Sequence, residues 1–179
     1  MYVYSLPRDL AGLLGRDEKV VWCGKPVFAP LILKNLLFML FGIPFLVFPL
    51  IVFGFAWNFN FGFNVGLLFF FVFWYGIAGL ITFGPFLYVL LSWKNMYYLI
   101  TNKRVILRTG VVGIDYEILS LDNVQEVSLN TDFWDKMYGT GTIVLHSVGV
   151  KPLTLFAVKD PTYVLNVLRR IIDERKSSA

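Results

Sequence analysis

The chain has 179 residues, of which 57% are hydrophobic and 16% are charged, with a formal net charge of +4. Soluble domains carry roughly 25% charged residues, so this composition excludes an ordinary soluble globular protein. The only cysteine is Cys23, which excludes an internal disulfide and leaves a thiol-based metal site without a second thiol ligand.

The middle of the chain carries no charge. No charged residue or histidine lies between Lys34 and Lys94. A membrane-spanning helix needs about 20 apolar residues, so this stretch can hold two of them. The sequence therefore predicts a transmembrane hairpin over residues 33–93, with spans near Leu33–Phe53 and Gly66–Leu91.

Small and imino residues inside the predicted spans are compatible with membrane helices. Pro44 falls within the first span, where neighbouring groups can satisfy the carbonyl that a proline frees. Three glycines of the second span are suited to close helix–helix approach, between the two spans or between neighbouring copies of the chain. They are Gly76, Gly79 and Gly84.

The loop between the predicted spans, near residues 55–64, contains aromatic residues that alternate with asparagine and glycine. Aromatic rings are enriched at membrane–water interfaces, so the sequence predicts an interfacial belt made of Trp57, Phe59, Phe61, Phe63 and Trp93. The loop is uncharged, whereas basic residues flank the hairpin. The positive-inside rule then places both termini in the cytoplasm of a multi-pass cell-membrane protein, with residues 1–32 as a cytoplasmic or interfacial segment. A re-entrant hairpin that does not cross the bilayer is the alternative, and it gives the same placement of the termini.

From residue 94 onward, β-rich segments alternate with turn signals, and Asn102-Lys103 has the length of a two-residue hairpin turn. Six strands are predicted: Met96–Thr101, Arg104–Thr109, Tyr116–Leu121, Val124–Leu129, Thr142–Ser147 and Leu153–Ala157. The chain then closes with an amphipathic helix near residues 161–175, whose first position is a proline. The sequence predicts a small β-barrel or sandwich over residues 94–179, capped by this helix.

The order and spacing of several strand and turn motifs resemble those of prokaryotic pleckstrin-homology-like (PH-like) membrane proteins. The motifs are Tyr98–Ile106, Gly110, Leu119–Val127 and Gly139–Ile143, and residues 15–26 resemble the family's short N-terminal segment. In that family two transmembrane helices precede a PH-like domain. The resemblance implies a seven-stranded, two-sheet fold capped by the C-terminal helix.

The seventh strand is left open by the sequence, because only six strands follow the membrane segment. Either Val111–Ile114 is a separate strand, or Lys19–Gly24 returns from before the hairpin to pair with the domain. We favour Val111–Ile114.

Nothing in the sequence points to a catalytic, cofactor or metal site, and an enzyme is not expected. His146 is the only histidine and falls within a predicted strand, where it has no second ligand for a metal. Asp115 and Glu117 share a strand face, but no apolar pocket would separate their pKa values. Residues 94–179 hold eleven basic and nine acidic residues, a balance that argues against nucleic acid as a partner.

We therefore expect a non-enzymatic, membrane-anchored module that binds a protein partner or self-assembles at the cytoplasmic face. One alternative is an accessory subunit of a larger membrane complex, such as a transporter or protease. Another is contact with anionic lipid headgroups, at about 1 kcal/mol per basic residue. The candidates for this contact are Lys25, Lys34, Lys94, Lys103 and Arg104. For Lys103 and Arg104, at a hairpin tip, turn solubility and orientation form the competing interpretation, and the one we favour.

Overall fold

A computed structural model describes residues 7–57 and 65–178, which divide into two compact units. The first unit comprises the described residues up to Leu31 and those from Leu91 onward. The second unit is Ile32–Leu90. Each unit is described by itself below.

The first unit contains seven strands in two antiparallel sheets. The strands are β1 (Val20–Gly24), β2 (Tyr97–Thr101), β3 (Arg104–Thr109), β4 (Asp115–Ser120), β5 (Val124–Asn130), β6 (Thr140–Ser147) and β7 (Val150–Lys159). One sheet has the order β1-β2-β3-β4 and the other the order β5-β6-β7. The two-sheet fold and the six strands predicted after residue 94 are confirmed.

Helices cover parts of this unit: α1 (Arg8–Leu13), α5 (Phe133–Tyr138) and α6 (Pro161–Ser178). The C-terminal helix α6 buries Val164 and Leu168 in the core between the sheets, together with Ile143, Leu145 and other strand residues. Its apolar face recurs at the spacing of an amphipathic helix, as predicted. The prediction that a C-terminal helix caps the sheets is confirmed.

Our choice of Val111–Ile114 as the seventh strand is wrong. Those residues belong to the connection between β3 and β4, and the seventh strand is β1, from the alternative segment Lys19–Gly24. β1 pairs antiparallel with β2, with Gly24 opposite Tyr98 and Val20 opposite Thr101. Part of the N-terminal segment is therefore an edge strand of the first sheet.

The two sheets also meet through Tyr98, whose ring is fully buried. The Tyr98 hydroxyl donates to the carbonyl oxygen of Phe156 at 2.9 Å and accepts from the Phe156 amide at 3.1 Å. Burial raises the pKa of Tyr98. The nearby Val27 amide donates to the carbonyl oxygen of Ala157 at 2.9 Å, so the chain just after β1 is bonded to β7.

The second unit contains most of α2 (Phe28–Leu40), α3 (Ile43–Trp57) and most of α4 (Val65–Ser92). Within the described residues, one helical stretch, Val65–Asn95, is long and apolar enough to cross a membrane. The predicted second span lies within this stretch. The predicted first span is divided between two shorter apolar helices, α2 and α3, so a two-span hairpin is not confirmed.

The break between α2 and α3 follows from Pro44. A proline has no amide hydrogen for the carbonyl of Leu40, and its ring would clash with that carbonyl in a continuous helix. The chain turns at Phe41 and Gly42, and Pro44 then occupies the first turn of α3, where its missing amide hydrogen costs nothing. Gly42 donates to the carbonyl oxygen of Met39 at 2.9 Å, which closes the end of α2.

Helix α3 runs antiparallel to α4. Phe48 contacts Trp74, whose Nε1 donates to the carbonyl oxygen of Phe45 at 2.9 Å. Further along, Phe53 packs edge-on against Phe71 at 5.3 Å between ring centroids. Aromatic contacts and the Trp74 hydrogen bond thus join the two helices.

The glycine that permits close helix approach is Gly42. A methyl group added there would overlap the Thr82 side chain of α4. By contrast, a methyl group at Gly76 or Gly79 would meet no atom within 4 Å, and one at Gly84 would meet only Leu80 of its own helix. Among the described residues of the second unit, these three glycines therefore make no close contact between helices, and their use between copies stays a prediction.

Candidate functional site

The candidate site is the junction at which the first unit connects to the apolar helices. β1 ends at Gly24 and α2 begins at Phe28, while α4 ends at Ser92 and β2 begins at Tyr97. Because β1 and β2 are neighbours in the sheet, both connections leave it at the same end. We call residues 25–28 and 93–97 the junction.

The two connections are bonded to each other. Trp93 Nε1 donates to the carbonyl oxygen of Pro26 at 2.9 Å, and its ring meets that of Phe28 edge-on at 4.9 Å between centroids. Lys25 Nζ donates to the carbonyl oxygen of Lys94 at 3.1 Å. The junction is thus a cross-linked structure rather than two loose linkers.

Basic and aromatic groups alternate at the junction. Lys25 Nζ lies 4.2 Å from the ring centroid of Tyr97 and 5.3 Å from that of Trp93, distances suited to cation–π attraction. The guanidinium of Arg108 lies 5.4 Å from the same Tyr97 ring. Lys94 is exposed. Aromatic rings beside basic groups match the chemistry of a membrane–water interface.

Lys103 and Arg104 do not join this cluster. They follow β2, whose five residues separate Tyr97 from Thr101 by roughly 13 Å at the rise of an antiparallel strand. Lys103 is exposed at the hairpin tip. The five basic residues predicted to contact lipid thus do not form one cluster. Lys25 and Lys94 lie at the junction, and Lys34 lies in α2 of the other unit.

Arg104 is held by an N-terminal strap, residues 7–19, which sequence reasoning missed. Its Nε and Nη2 donate to the two carboxylate oxygens of Glu18 at 2.9 and 2.8 Å, and Nη2 also donates to the carbonyl oxygen of Leu13. The Glu18 side chain is 2% exposed. The hydrogen bond from Arg104 lowers the pKa of Glu18 to about 2. Arg104 therefore stabilises the contact between the strap and the first hairpin.

The strap makes a second ion pair near the junction. Arg108 Nε donates to Asp9 Oδ2 at 2.7 Å, and the Tyr116 hydroxyl donates to the same oxygen at 2.7 Å. The Tyr116 bond holds the pKa of Asp9 below its ordinary value. Leu10, fully buried against Leu99 and the neighbouring strand, anchors the strap on the first sheet. Glu18 and Asp9 thus pair with Arg104 and Arg108, which are four residues apart on β3, and no local sequence pattern indicated these partners.

The predicted aromatic belt is only partly described. Phe59, Phe61 and Phe63 lie outside the described residues. Trp57 is the last residue of α3, and Trp93 lies at the junction with its indole nitrogen bonded. The contacts of Trp93 with Pro26 and Phe28 are those described above for the junction.

A shallow groove lies at the other end of the domain, beside β5, the terminal strand of the second sheet. Its volume is about 420 Å³. The lining comes from Asp122, Asn123, Val124, Gln125, Val148 and Lys176. Arg175 of α6 forks onto both carboxylate oxygens of Asp122 at 2.6 and 2.7 Å, which fixes the helix along this side of the groove.

His146 lies in one sheet, and Asp115 and Glu117 lie in the other. His146 is exposed on β6, and its Nε2 lies 3.4 Å from the Ser128 hydroxyl. Asp115 and Glu117 are exposed on β4, the edge of the first sheet. Over residues 7–57 and 65–178, no three histidine, cysteine or acidic side chains are grouped so as to hold a metal ion.

The fold is that of a PH-like domain with a helical insertion. It has two antiparallel sheets and a C-terminal helix packed on them, and its apolar helices are inserted between the first two strands. The family model of the bacterial PH domain matches residues 26–174. The chain belongs to this family. PH-like domains are in general binding modules, and fold alone does not fix what they bind.

Two crystal structures are similar to part of the chain. One is a DUF1696 family protein with a pleckstrin-homology domain from Shewanella loihica PV-4, with 20% identity and a TM-score of 0.36 over 43% of this chain and 70% of that one. The other is a pleckstrin homology domain from Shewanella amazonensis SB2B, with 18% identity and a TM-score of 0.36 over 43% and 66%. Among curated proteins, none matches the chain.

Proposed function

We propose that the protein is a non-enzymatic interaction module that is held against the cytoplasmic face of the cell membrane by its inserted helices. The observation that carries this proposal is the placement of those helices between β1 and β2. Three residues connect β1 to α2, and four connect α4 to β2. Links this short keep the first residue of α2 and the last residue of α4 within roughly 18 Å of the sheet.

We propose that the chain crosses the bilayer twice, once through α2 and α3 and once through α4. α4 has 28 residues and a length of about 42 Å, which exceeds the roughly 30 Å of a bilayer's hydrocarbon core. The other arm has 13 residues in α2 and 15 in α3, about 20 and 22 Å, so it reaches across only if both helices contribute. A break at Pro44 is tolerable there because the packed helix α4 shields it.

Labelling of intact cells tests the topology. In a Cys23→Ala background, a cysteine at Asn60 is expected to react with a membrane-impermeant maleimide from outside. A cysteine at Lys103 is the matched control, and it is expected to react only after the cells are permeabilised. Labelling of Lys103→Cys in intact cells, or protection of Asn60→Cys there, would contradict the proposed topology.

The proposed binding site for a protein partner is the groove beside β5. A terminal strand can accept an added strand from a peptide, and the groove between helix and sheet can hold its side chains. A photoreactive residue at Gln125 is expected to crosslink to the partner or to a second copy. Glu117, exposed on β4, is the control position. Equal crosslinking at both positions would remove the groove from the proposal.

The runner-up is an accessory subunit of a larger membrane complex. An apolar cavity of about 120 Å³ between α3 and α4 favours it, because a neighbouring helix could fill such a space. It is lined by Phe48, Pro49, Val52, Phe53, Leu67, Phe70 and Phe71. Native purification in mild detergent separates the two roles. A single species or an oligomer of this chain supports self-assembly, whereas a stoichiometric second membrane protein supports the subunit role.

The other alternative is contact with anionic headgroups. It is favoured by Lys94, which is exposed within the junction. Full-length protein with Lys94→Glu should then carry less anionic lipid through purification, while Lys103→Glu should carry the normal amount. Mass spectrometry of the bound lipid measures both. The full chain is required, because a fragment that begins at residue 95 would lack β1.

A further inference from the structure

The turn between β3 and β4, residues 110–114, presents apolar side chains to its surroundings. Its sequence, GVVGI, contains no charged residue. Val112 is fully exposed, and Ile114 is 44% exposed. Turns in contact with water favour asparagine, aspartate and serine, whose side chains bond to the backbone. This turn has two glycines, which also favour turns, but its other three side chains are all apolar and β-branched.

The turn has a fixed shape. Gly110 has φ of 129°, and a methyl group added to it would overlap the carbonyl oxygen of Gly113. Only glycine fits this conformation without strain. The turn is therefore compact, with the Gly110 and Gly113 backbones close together and Val112 exposed at its tip.

The turn is also fixed in place beside the junction. Asn95 Nδ2 donates to the carbonyl oxygen of Gly110 at 3.0 Å, and Arg108 Nη1 donates to the carbonyl oxygen of Asn95 at 3.0 Å. Asn95 is three residues beyond Ser92, the last residue of α4. The apolar tip thus lies next to the point where the chain enters its apolar helices.

The groups around the turn have the composition of an interface with lipid. Trp93 and Tyr97 supply aromatic rings, and Lys25 and Lys94 supply positive charge for anionic headgroups. Apolar side chains beside such groups are the pattern of segments that sit at the boundary between headgroups and acyl chains. The turn is bonded to Asn95, three residues after the end of the apolar helix α4. Lipid is therefore the expected contact of the turn's apolar side chains.

We propose that the β3–β4 turn inserts Val112 into the interfacial layer of the bilayer that α4 enters, so that the domain contacts the membrane at a third point. This inference rests on the proposed membrane anchoring. The turn lies to one side of the two helical connections, so its contact with the bilayer restrains tilting of the domain on the membrane surface. The turn thereby fixes which face of the domain is turned away from the membrane.

Fluorescence quenching in proteoliposomes tests the inference. Full-length protein in a Cys23→Ala background carries an environment-sensitive nitrobenzoxadiazole label on Val112→Cys. The matched control carries it on Lys103→Cys, at the exposed tip of the other hairpin. We expect blue-shifted emission at position 112 and severalfold stronger quenching there by lipids that carry a nitroxide near the headgroup end of the acyl chain. Position 103 is expected to respond mainly to iodide in the aqueous phase.

The outcomes separate this inference from the proposed function. If the protein resists alkaline carbonate extraction but the label at 112 is quenched by lipid no more than that at 103, the insertion is wrong and the anchoring stands. A label at 112 that is shielded from both quenchers would show a protein partner or second copy at the turn, and would also overturn insertion. Release of the protein by carbonate would overturn the anchoring and the inference together. Melting curves of both labelled proteins verify that they are folded.

Discussion

Glu18 and Arg104 form a two-point ion pair between the N-terminal strap and the first hairpin, with nitrogen–oxygen distances of 2.8 and 2.9 Å. The Thr101 hydroxyl donates to the same carboxylate at 2.8 Å, and the Gly15 amide donates to it at 3.0 Å. Arg104 therefore reinforces the fold at the position where a lipid-binding basic tip was one interpretation of the sequence.

Replacing this carboxylate should weaken the folded state. Glu18→Gln is expected to lower the free energy of unfolding by about 2 kcal/mol, because it removes a charge-assisted pair whose acidic partner is almost fully covered. Thermal unfolding in detergent measures the loss. Glu117→Gln on exposed β4 is the matched control and should change little. Equal effects of the two substitutions would contradict the structural role of Glu18.

The same pair predicts a dependence of stability on pH. The pKa of Glu18 falls from 4.5 to about 2 on folding, so its contribution is fully present above pH 4.5 and is lost as the pH falls toward 2. The complete loss amounts to about 3 kcal/mol. Wild-type protein should lose more stability than Glu18→Gln between pH 5 and pH 2, as followed by melting temperature. Parallel pH profiles for the two proteins would rule out this contribution.

The turn at residues 110–114 offers a sharp pair of substitutions. Gly110→Ala should destabilise the first unit by about 2 kcal/mol or more, since the backbone conformation is costly for alanine and the added methyl group has no room. Gly113→Ala meets no atom within 4 Å and should be nearly neutral. Unfolding curves measure the stability of both variants. Equal stabilities of the Gly110→Ala and Gly113→Ala proteins would contradict the tight turn.

The contact between α3 and α4 is tested in the same way. Gly42→Ala should push the helices apart at Thr82 and lower the melting temperature in detergent, at a cost of about 1–3 kcal/mol for overpacking. Gly79→Ala adds a methyl group in open space and should leave the monomer unchanged. Mass measurement of Gly79→Ala adds a second readout, because a change in oligomeric state there would show that this glycine packs against another copy.

Trp93→Phe probes the cross-link at the junction. It keeps an aromatic ring against Phe28 but removes the hydrogen bond to Pro26, for an expected loss of about 1 kcal/mol. Trp134→Phe in α5 is the control. Differential scanning fluorimetry compares them, and a junction variant as stable as the control would mean that the two connections are held by other contacts.

The strands after residue 94 could be predicted because each is a short local pattern bounded by turn residues. β2 and β3, joined by Asn102-Lys103, have nearly the predicted bounds. β1 could not be assigned in the same way, because its partner β2 comes only after the apolar helices in the sequence. The break of the first apolar arm was signalled by Pro44, but the sequence alone did not show whether neighbouring groups would keep the helix continuous.

Some residues of the junction were already candidates from the sequence, and their contact with lipid stays a prediction. Lys25, Lys94 and Trp93 were singled out for their charge or ring, and the structure brings them together. Arg104 was grouped with them because a sequence shows charge but not its partner. Its pairing with Glu18 spans 86 positions, a distance over which local patterns carry no information.

The pairing of β1 with β2 sets an order of events during synthesis. The Lys19 amide donates to Asn102 Oδ1, which is 83 positions later in the chain, so everything between them must be made before this bond can form. Closing so long a loop is entropically unfavourable unless the inserted helices pack and bring their ends together first. A chain in which β1 does not pair would retain an unpaired edge at β2, open to proteolysis or aggregation.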